Sequence, residues 1–268
     1  MTGKVWFVGA GPGDPELLTV KGRRLLEEAG AILYAGSLVA QAATLFGPPG
    51  CVIRDSKDLT LEDMSAWLLE QSARHATVVR LQTGDPGLYG ALVEMTRPLT
   101  AAGIEWAVVP GVSSAFAAAA AAGETLTLPE ITQTVILTRV AGRTPMPPGE
   151  ELEALAAHRA TLCIFLSITL LHEVQRALRA AGWAEDAPIL VVQKASWPGE
   201  EKIVRGTLAD IKQRCQAGKI ASQAMIIASP ALGAADWPTL ARSRLYDPAF
   251  AHRFRKATVA APNSETSA

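Results

Sequence analysis

Three short glycine-containing loops constrain the fold of this chain more than any other feature of its 268 residues. Each loop directly follows an apolar segment typical of a strand: residues 9–15 follow 5–8, residues 83–87 follow 77–82, and residues 110–114 follow 105–109. Ligands of parallel sheets bind at the carboxyl ends of the strands, where such loops meet. The pattern therefore predicts one concave ligand site built from all three loops.

Helical patterns alternate with these strands in the first half, which favours a parallel sheet covered on both faces. Thr60 and Asp63 resemble a capping box that opens one of the helices. That helix is predicted at 60–71. The other predicted helices there are 15–29 and 88–102, and a further strand is 31–34. After an alanine-rich helix at 111–123, capped by Ser113 or Ser114, strands are predicted at 133–138, 161–167, 188–193, 201–206 and 223–228, with helices at 168–181 and 208–216.

We expect domains at 1–112 and 113–245, and a partly disordered tail at 246–268.

Composition excludes several classes of protein. Hydrophobic residues make up 49% and charged residues 19%, so the chain is not disordered as a whole. With 25 basic and 26 acidic residues, it has no overall positive field that would attract nucleic acid. Three separated cysteines and four isolated histidines predict neither a disulfide framework nor a metal site. The strand-like start and the lack of a long apolar stretch predict a cytoplasmic protein without a membrane span.

The first loop differs from the common nucleotide-binding loops. In the dinucleotide pattern G-x-G-x-x-G, Asp14 replaces the last glycine, and its carboxylate would repel a pyrophosphate at the helix N-terminus. Phe7 occupies a position where common Rossmann methyltransferases carry an acidic residue, and no Gly-Lys-Ser/Thr sequence is present. A nicotinamide or nucleoside-triphosphate site is therefore not expected, and Asp14 is expected to cap the helix.

The three loops together resemble those of the tetrapyrrole methylases. The matching residues are Gly9-x-Gly-Pro-Gly-Asp14, the Gly84-Asp85-Pro86 loop with Tyr89 behind it, and Pro110-Gly-Val-Ser-Ser114. The resemblance covers roughly residues 3–230 and implies two α/β domains with a ligand trough between them. It also implies S-adenosylmethionine (SAM) as methyl donor, a tetrapyrrole as substrate and a homodimer. The SAM contacts that it implies are Pro12, Gly84, Asp85, Leu88, Ser113, Ser114, Leu166 and Ala195. Leu166 and Ala195 stand where methionine and glycine often occur in the family.

Later segments resemble the branch of this family that methylates ring carbon 11 of a corrin precursor. They are 34–39, 55–60, 126–139, 142–145 and 193–200. Ala35 replaces an aspartate that the uroporphyrinogen branch uses as proton acceptor, whereas methylation at carbon 11 forms a quaternary carbon that loses no proton. No catalytic residue is assigned. The polycarboxylate substrate favours cations, and the expected substrate contacts are Gly36, Ser37, Arg54, Lys57 and Arg139.

Several alternatives stay open at this point. The substrate could carry cobalt or lack a metal, and sequence alone does not identify the methylated carbon. A uroporphyrinogen or ribosomal-RNA methyltransferase of the same fold, or a carrier that binds a tetrapyrrole without turnover, would share many of these features.

Overall fold

The computed structural model describes residues 3–240 and 243–258, and it contains two five-stranded sheets with helices packed against them. The first half contains β1 (Lys4–Gly9), α1 (Val20–Glu27), β2 (Ala31–Tyr34), β3 (Val52–Asp55), α2 (Leu61–Ser72), β4 (Thr77–Gln82), α3 (Leu92–Ala101) and β5 (Trp106–Val109). The second half contains α4 (Ser114–Ala122), β6 (Val135–Arg139), α5 (Leu152–Ala156), β7 (Thr161–Phe165), α6 (Leu171–Ala180), β8 (Pro188–Gln193), β9 (Lys202–Thr207), α7 (Ile211–Ala217) and β10 (Ala224–Ala228).

The first sheet is entirely parallel, in the order β3-β2-β4-β1-β5, which confirms the parallel sheet predicted for this half. Alternate residues of its apolar strands fill a core on each face. Val8, Ile32 and Leu81 pack on the side of α1, and Phe7 and Leu33 pack on the side of α2 and α3. Because β4, β1 and β5 are neighbours, the three glycine loops that follow them lie together at one edge of the sheet.

The second sheet has the order β6-β7-β10-β8-β9, and only β6 and β7 pair in parallel. Helices α5, α6 and α7 cover one face around a core that includes Leu162 and Ile226. On the other face, Ala115 and Ala118 of α4 pack against Leu190 and Met225. The small alanine side chains let α4 lie close to this sheet. Both halves are thus α/β layers, as predicted.

The sequence-based element bounds differ from the structure in a few places. The predicted helix 15–29 is two elements, because Leu18 is extended and Thr19 begins α1 by accepting a hydrogen bond from the Gly22 N–H. The preceding turn, Pro15–Leu17, is a short 3₁₀ helix. Strand β3 was not predicted, since Val52 and Ile53 lie exposed on an edge of the sheet and show no alternation. The helix predicted at 88–102 begins only at Leu92.

The C-terminal segment is described as far as residue 258. It contains a 3₁₀ turn at Arg244–Tyr246 and an isolated bridge between His252 and Arg255. The rest of the predicted tail, 259–268, lies outside the described residues. No helix in the described parts of the chain is long and apolar enough to cross a bilayer.

Candidate functional site: a cavity between the two sheets

The first two glycine loops are joined by backbone hydrogen bonds at the edge of the first sheet. The Gly84 N–H donates to the Gly11 carbonyl at 2.8 Å, and the Gly11 N–H donates to the Gly84 carbonyl at 3.3 Å. Asp85 connects the second loop to the third, because its Oδ2 accepts from the Gly111 N–H at 3.0 Å. Its Oδ1 accepts from the Gly87 N–H at 2.8 Å. The three loops therefore form one hydrogen-bonded unit, as their spacing predicts.

This unit forms one wall of a cavity of about 530 Å³, a volume typical of a small-molecule site. The opposite wall comes from the second half of the chain, including Phe165, Val192 and Met225. All eight residues for which the resemblance implies SAM contacts line this one cavity: Pro12, Gly84, Asp85, Leu88, Ser113, Ser114, Leu166 and Ala195. The structure therefore brings together residues that are separated by as much as two thirds of the chain.

The first turn of α4 also lines the cavity. Ser113 is buried and begins the helix, with its Oγ accepting from the Ala115 N–H at 3.3 Å, so the predicted cap is confirmed. Asp14, the other predicted cap, accepts from the Glu16 N–H at 2.8 Å and begins the 3₁₀ turn. Its own N–H donates to Ser196 Oγ at 3.1 Å, which ties the first loop to the second half of the chain.

The loop that follows β8 closes one side of the cavity. Trp197 lines it and donates from Nε1 to the Pro12 carbonyl at 3.0 Å. Lys194 lines the cavity as well, with its ammonium paired to Glu200 and 4.9 Å from the centre of the Trp197 ring. Sequence reasoning had grouped this loop with the branch-specific segments without seeing that it reaches the first glycine loop.

Strained backbone is concentrated around the cavity. Nine residues other than glycine have positive φ in the described chain, and five of them line the cavity: Tyr89, Ala91, Leu166, Lys194 and Gln223. Such conformations cost about 1–3 kcal/mol each and persist where the surrounding structure holds them, often at ligand sites. The Tyr89 ring lies 5.5 Å from that of Phe165, and burial raises the pKa of its phenol, which therefore stays protonated at neutral pH.

The five expected substrate contacts do not line this cavity, although Gly36 and Ser37 directly follow Ala35, which does. The Gly36 N–H donates to Asp55 at 2.9 Å, and the Ser37 carbonyl accepts from Gln223 Nε2 at 2.6 Å. Lys57 lies in a turn with its ammonium 3.7 Å from Asp55.

The two expected arginine contacts have different surroundings. Arg54 is exposed at the edge strand β3. Arg139 donates to the carbonyls of Val140, Thr144 and Pro145, so its guanidinium holds the loop after β6.

Sequence reasoning missed two buried polar residues of β4 that line the cavity. Arg80 and Gln82 lie on the same face of β4, and both are buried. They were missed because their apolar neighbours make the segment look like an ordinary buried strand. Arg80 Nη1 donates to Ser56 Oγ at 3.0 Å, and Gln82 Nε2 donates to the Gly90 carbonyl. In the described residues, no group of three His, Cys, Asp or Glu side chains could hold a metal ion.

Comparison with known proteins agrees with this geometry. Residues 4–212 match the model of the Tetrapyrrole (Corrin/Porphyrin) Methylases. The chain is 47% identical to the cobalt-precorrin-4 C(11)-methyltransferase of Priestia megaterium, with 94% of this chain and 98% of that protein covered. It is 44% identical to the precorrin-4 C(11)-methyltransferase of Pseudomonas aeruginosa, with the same coverage of 94% and 98%.

Two solved structures share the fold. A cobalt precorrin-4 methyltransferase of cobalamin biosynthesis superimposes with a TM-score of 0.83 at 48% identity, covering 85% of this chain and 95% of that one. The uroporphyrin-III C-methyltransferase of Thermus thermophilus, complexed with S-adenosylhomocysteine, gives a TM-score of 0.70 at 31% identity, covering 86% and 99%. The loops, the two-sheet architecture and these matches lead to one conclusion: the chain belongs to the tetrapyrrole methylase family.

Proposed function

We propose that the protein transfers the methyl group of SAM to carbon 11 of precorrin-4, giving precorrin-5 and S-adenosylhomocysteine in cobalamin biosynthesis. The observation that carries this proposal is the convergence of eight residues, matched to the family's SAM contacts one by one, on a single cavity between the two sheets. The relatives that share 44–47% of their residues with almost the whole chain are named for methylation at this carbon.

The volume and the lining of the cavity are suited to SAM. Gly84 faces it with no side chain, and a Cβ there would have no atom closer than 3.8 Å, so its backbone leaves open space for a ligand. We propose that Pro12, Gly84, Asp85 and Leu88 hold SAM from the first sheet, and that Ser113, Ser114, Leu166 and Ala195 hold it from the second half. When bound, SAM supplies an activated methyl group on a sulfonium leaving group.

The residues of the cavity are suited to orienting reactants rather than to moving protons. Asp85 is the only carboxylate among the described cavity-lining residues, and both of its oxygens accept backbone N–H groups. Ala35 also lines the cavity and offers no carboxylate. Methylation at carbon 11 forms a quaternary carbon, so no proton leaves from that atom and no general base is needed at it. The positive charge that arrives with the methyl group is relieved through the conjugated ring nitrogens, which release the one proton lost overall. Holding two reactants in line can supply roughly 7–11 kcal/mol of the barrier reduction.

We also propose that the macrocycle extends beyond the cavity towards Gly36, Ser37, Arg54, Lys57 and Arg139. Support comes from Ala35, which lines the cavity directly before Gly36, and from Tyr89, which lies within the electrostatic influence of Arg139. In this arrangement the trough lies between domains 1–112 and 113–245.

Incubation of the purified protein with precorrin-4 and SAM tests the function. We expect one equivalent of S-adenosylhomocysteine per tetrapyrrole, a mass increase of one methylene, and a new methyl group on carbon 11 by carbon-13 NMR. Methylation at another carbon would overturn the assignment to this branch, and binding without turnover would favour a carrier.

Cobalt-precorrin-4 is a second candidate substrate. It is favoured by the 47% identity to the Priestia megaterium protein and by the TM-score of 0.83 to the cobalt precorrin-4 enzyme. Measuring kcat/KM for both substrates in parallel decides between them, because the preferred one is expected to show the higher value.

The resemblance to the family further supports a homodimer located in the cytoplasm, and both are part of the proposal. Light scattering at micromolar concentration measures the oligomeric state, and a single-subunit mass would overturn the first point. Fractionation of the cells that express the protein tests the second.

A further inference from the structure

One residue that lines the cavity is a buried cation without a carboxylate partner. Arg80 is 5% exposed and lines the cavity from the middle of the first sheet. Its Nη1 donates to Ser56 Oγ at 3.0 Å and, at 3.4 Å, to the Leu33 carbonyl. Its Nε is buried without a hydrogen-bond partner among the described residues. Burying a charge in this way is unfavourable unless an anion or further acceptors are supplied.

The surrounding charges compensate Arg80 only in part. It forms no ion pair with a carboxylate of the described residues. Asp55 is the nearest acidic influence, but its Oδ1 accepts from the N–H groups of Gly36 and Lys57, and its Oδ2 lies 3.7 Å from the Lys57 ammonium. Burial lowers the pKa of Arg80 to about 10, which leaves it fully charged at neutral pH.

Arg80 differs in this respect from the other cation of the cavity. Lys194 is the first residue of the loop that follows β8, and its ammonium pairs with Glu200. Close to Arg80, the Oε1 of Gln82 is a second buried polar atom without a described partner. Arg80 and Gln82 thus line the cavity with a charged donor group and an amide carbonyl whose hydrogen-bonding capacity the described residues do not fully satisfy.

We propose that Arg80 binds a carboxylate side chain of the tetrapyrrole and so fixes which part of the macrocycle faces the methyl donor. The inference rests on the proposed function. Its chemistry is that of a guanidinium, whose planar fork donates two parallel hydrogen bonds to one carboxylate. The acetate and propionate groups of a corrin precursor supply such carboxylates. Arg80 is a positioning residue, since it orients the macrocycle without contacting the attacked carbon.

The experiment compares four variants of the full chain. Arg80→Met removes the charge, Arg80→Lys keeps the charge but loses the fork, and Ser56→Ala removes the hydroxyl that Arg80 contacts. Arg97→Met is the matched control, since Arg97 is an exposed arginine on α3. For each variant we measure KM and kcat for precorrin-4, the Kd of precorrin-4 in the presence of S-adenosylhomocysteine, and the Kd of S-adenosylhomocysteine alone.

We expect Arg80→Met to raise the KM and Kd of precorrin-4 roughly 10- to 100-fold, the range for losing a hydrogen bond to a charged group. The Kd of S-adenosylhomocysteine should stay within about twofold, because the eight proposed SAM contacts are intact. Arg80→Lys should give an intermediate loss and serves as the folded comparison if Arg80→Met does not fold. Arg97→Met should match the wild-type protein.

Three results would overturn the proposal: an unchanged Kd of precorrin-4 in Arg80→Met, a parallel loss of S-adenosylhomocysteine binding, or a Ser56→Ala variant that reproduces the whole effect. The last would mean that Arg80 acts only by holding Ser56. The proposed function fails separately, because it requires turnover by the wild-type protein. A wild-type protein that binds precorrin-4 through Arg80 and does not methylate it would disprove the function and support the inference.

Discussion

Three glycines are packed against one another where the loops after β1, β4 and β5 meet. A Cβ on Gly111 would lie 2.1 Å from the Gly84 carbonyl oxygen, and a Cβ on Gly9 would lie 2.5 Å from the same atom. Both distances are far inside van der Waals contact, so only glycine lets the backbones approach this closely. The loops can share hydrogen bonds only because of this approach, which explains why each of them contains glycine.

Gly84 itself is constrained by its backbone conformation and not by space. Its φ is +59°, and a Cβ would meet no atom within 3.8 Å. We predict that Gly84→Arg abolishes binding of S-adenosylhomocysteine, because its side chain fills the cavity. Gly84→Ala, the matched control, should cost only about 1–2 kcal/mol in stability, from the left-handed conformation, and keep measurable binding. Isothermal titration calorimetry measures both, and tight binding by Gly84→Arg would contradict the placement of SAM beside this loop.

At the scale of residues, sequence reasoning located the glycine loops of the site and missed the buried residues Arg80 and Gln82 of β4. The loop residues are recognisable because glycine, proline and aspartate have specific turn chemistry at fixed spacings. Arg80 lies inside the segment Thr77–Gln82, where its neighbours predict a buried strand. Sequence shows that a cation is present but not which face of the sheet it occupies. The cations expected to bind a polycarboxylate, Arg54, Lys57 and Arg139, do not line the cavity.

At the scale of elements, the loop after β8 joins the two halves of the molecule across the cavity. Trp197 and Pro12 are separated by 185 positions and share a hydrogen bond, and the Trp197 ring covers Gly13 so closely that a Cβ there would lie 2.1 Å from it. Gln223 and Ser37 make a second connection, at 2.6 Å. The first contact fixes the first glycine loop against the second half, and the second contact does the same for the segment that follows β2. A ligand in the cavity is therefore held from both sides.

We predict that Trp197→Phe weakens binding of S-adenosylhomocysteine roughly 2- to 10-fold, the range for one lost neutral hydrogen bond, while the ring still covers Gly13. Trp106→Phe is the matched control. It loses a comparable indole hydrogen bond, 2.9 Å to Thr100 Oγ1, outside the cavity. Titration calorimetry on both variants measures the difference. Equal affinities in Trp197→Phe and the wild-type protein would show that the loop after β8 does not contribute to the binding of S-adenosylhomocysteine.

The elements that sequence reasoning placed best are those with strong local signals. The capping box of α2 has both of its hydrogen bonds, and strands β2, β4 and β8 occupy the predicted residues. The antiparallel pairing of β10 with β7 and β8 was not predicted, because strand direction depends on contacts between distant segments. The break before α1 was not predicted either. Leu18 continues the apolar spacing of the helix, but its backbone is extended.

At the scale of the whole molecule, the chain is organised around separate cores with the cavity between the sheets. The second half contains Cys163 and Cys215, both buried, whereas Cys51 is partly buried in the first half. We propose that the division falls between residues 112 and 113, because α4 packs on the second sheet through Ala115 and Ala118. Each core then stabilises its own half, and the loops around the cavity connect them.

The buried thiol of Cys163 makes the stability of the second half depend on pH. Burial raises the pKa of this thiol to about 12, whereas in an unfolded chain its pKa is about 8.5. Above pH 8.5 the unfolded state loses a proton that the folded state keeps, so the free energy of unfolding falls as pH rises towards 12. Below about pH 8 both states are protonated, and the contribution disappears.

We predict that the free energy of unfolding falls by about 2 kcal/mol less between pH 7 and pH 10 in Cys163→Ala than in the wild-type protein. Urea denaturation followed by circular dichroism at the two pH values measures this difference, which is independent of any constant loss from the shorter side chain. Cys51→Ala is the control, since its thiol is only partly buried and its pKa is raised less.

Identical pH dependence in Cys163→Ala and the wild-type protein would mean that Cys163 ionises in the folded state. Water would then reach the face of the second sheet that packs against α4, and the core behind the cavity would be more open than this structure describes.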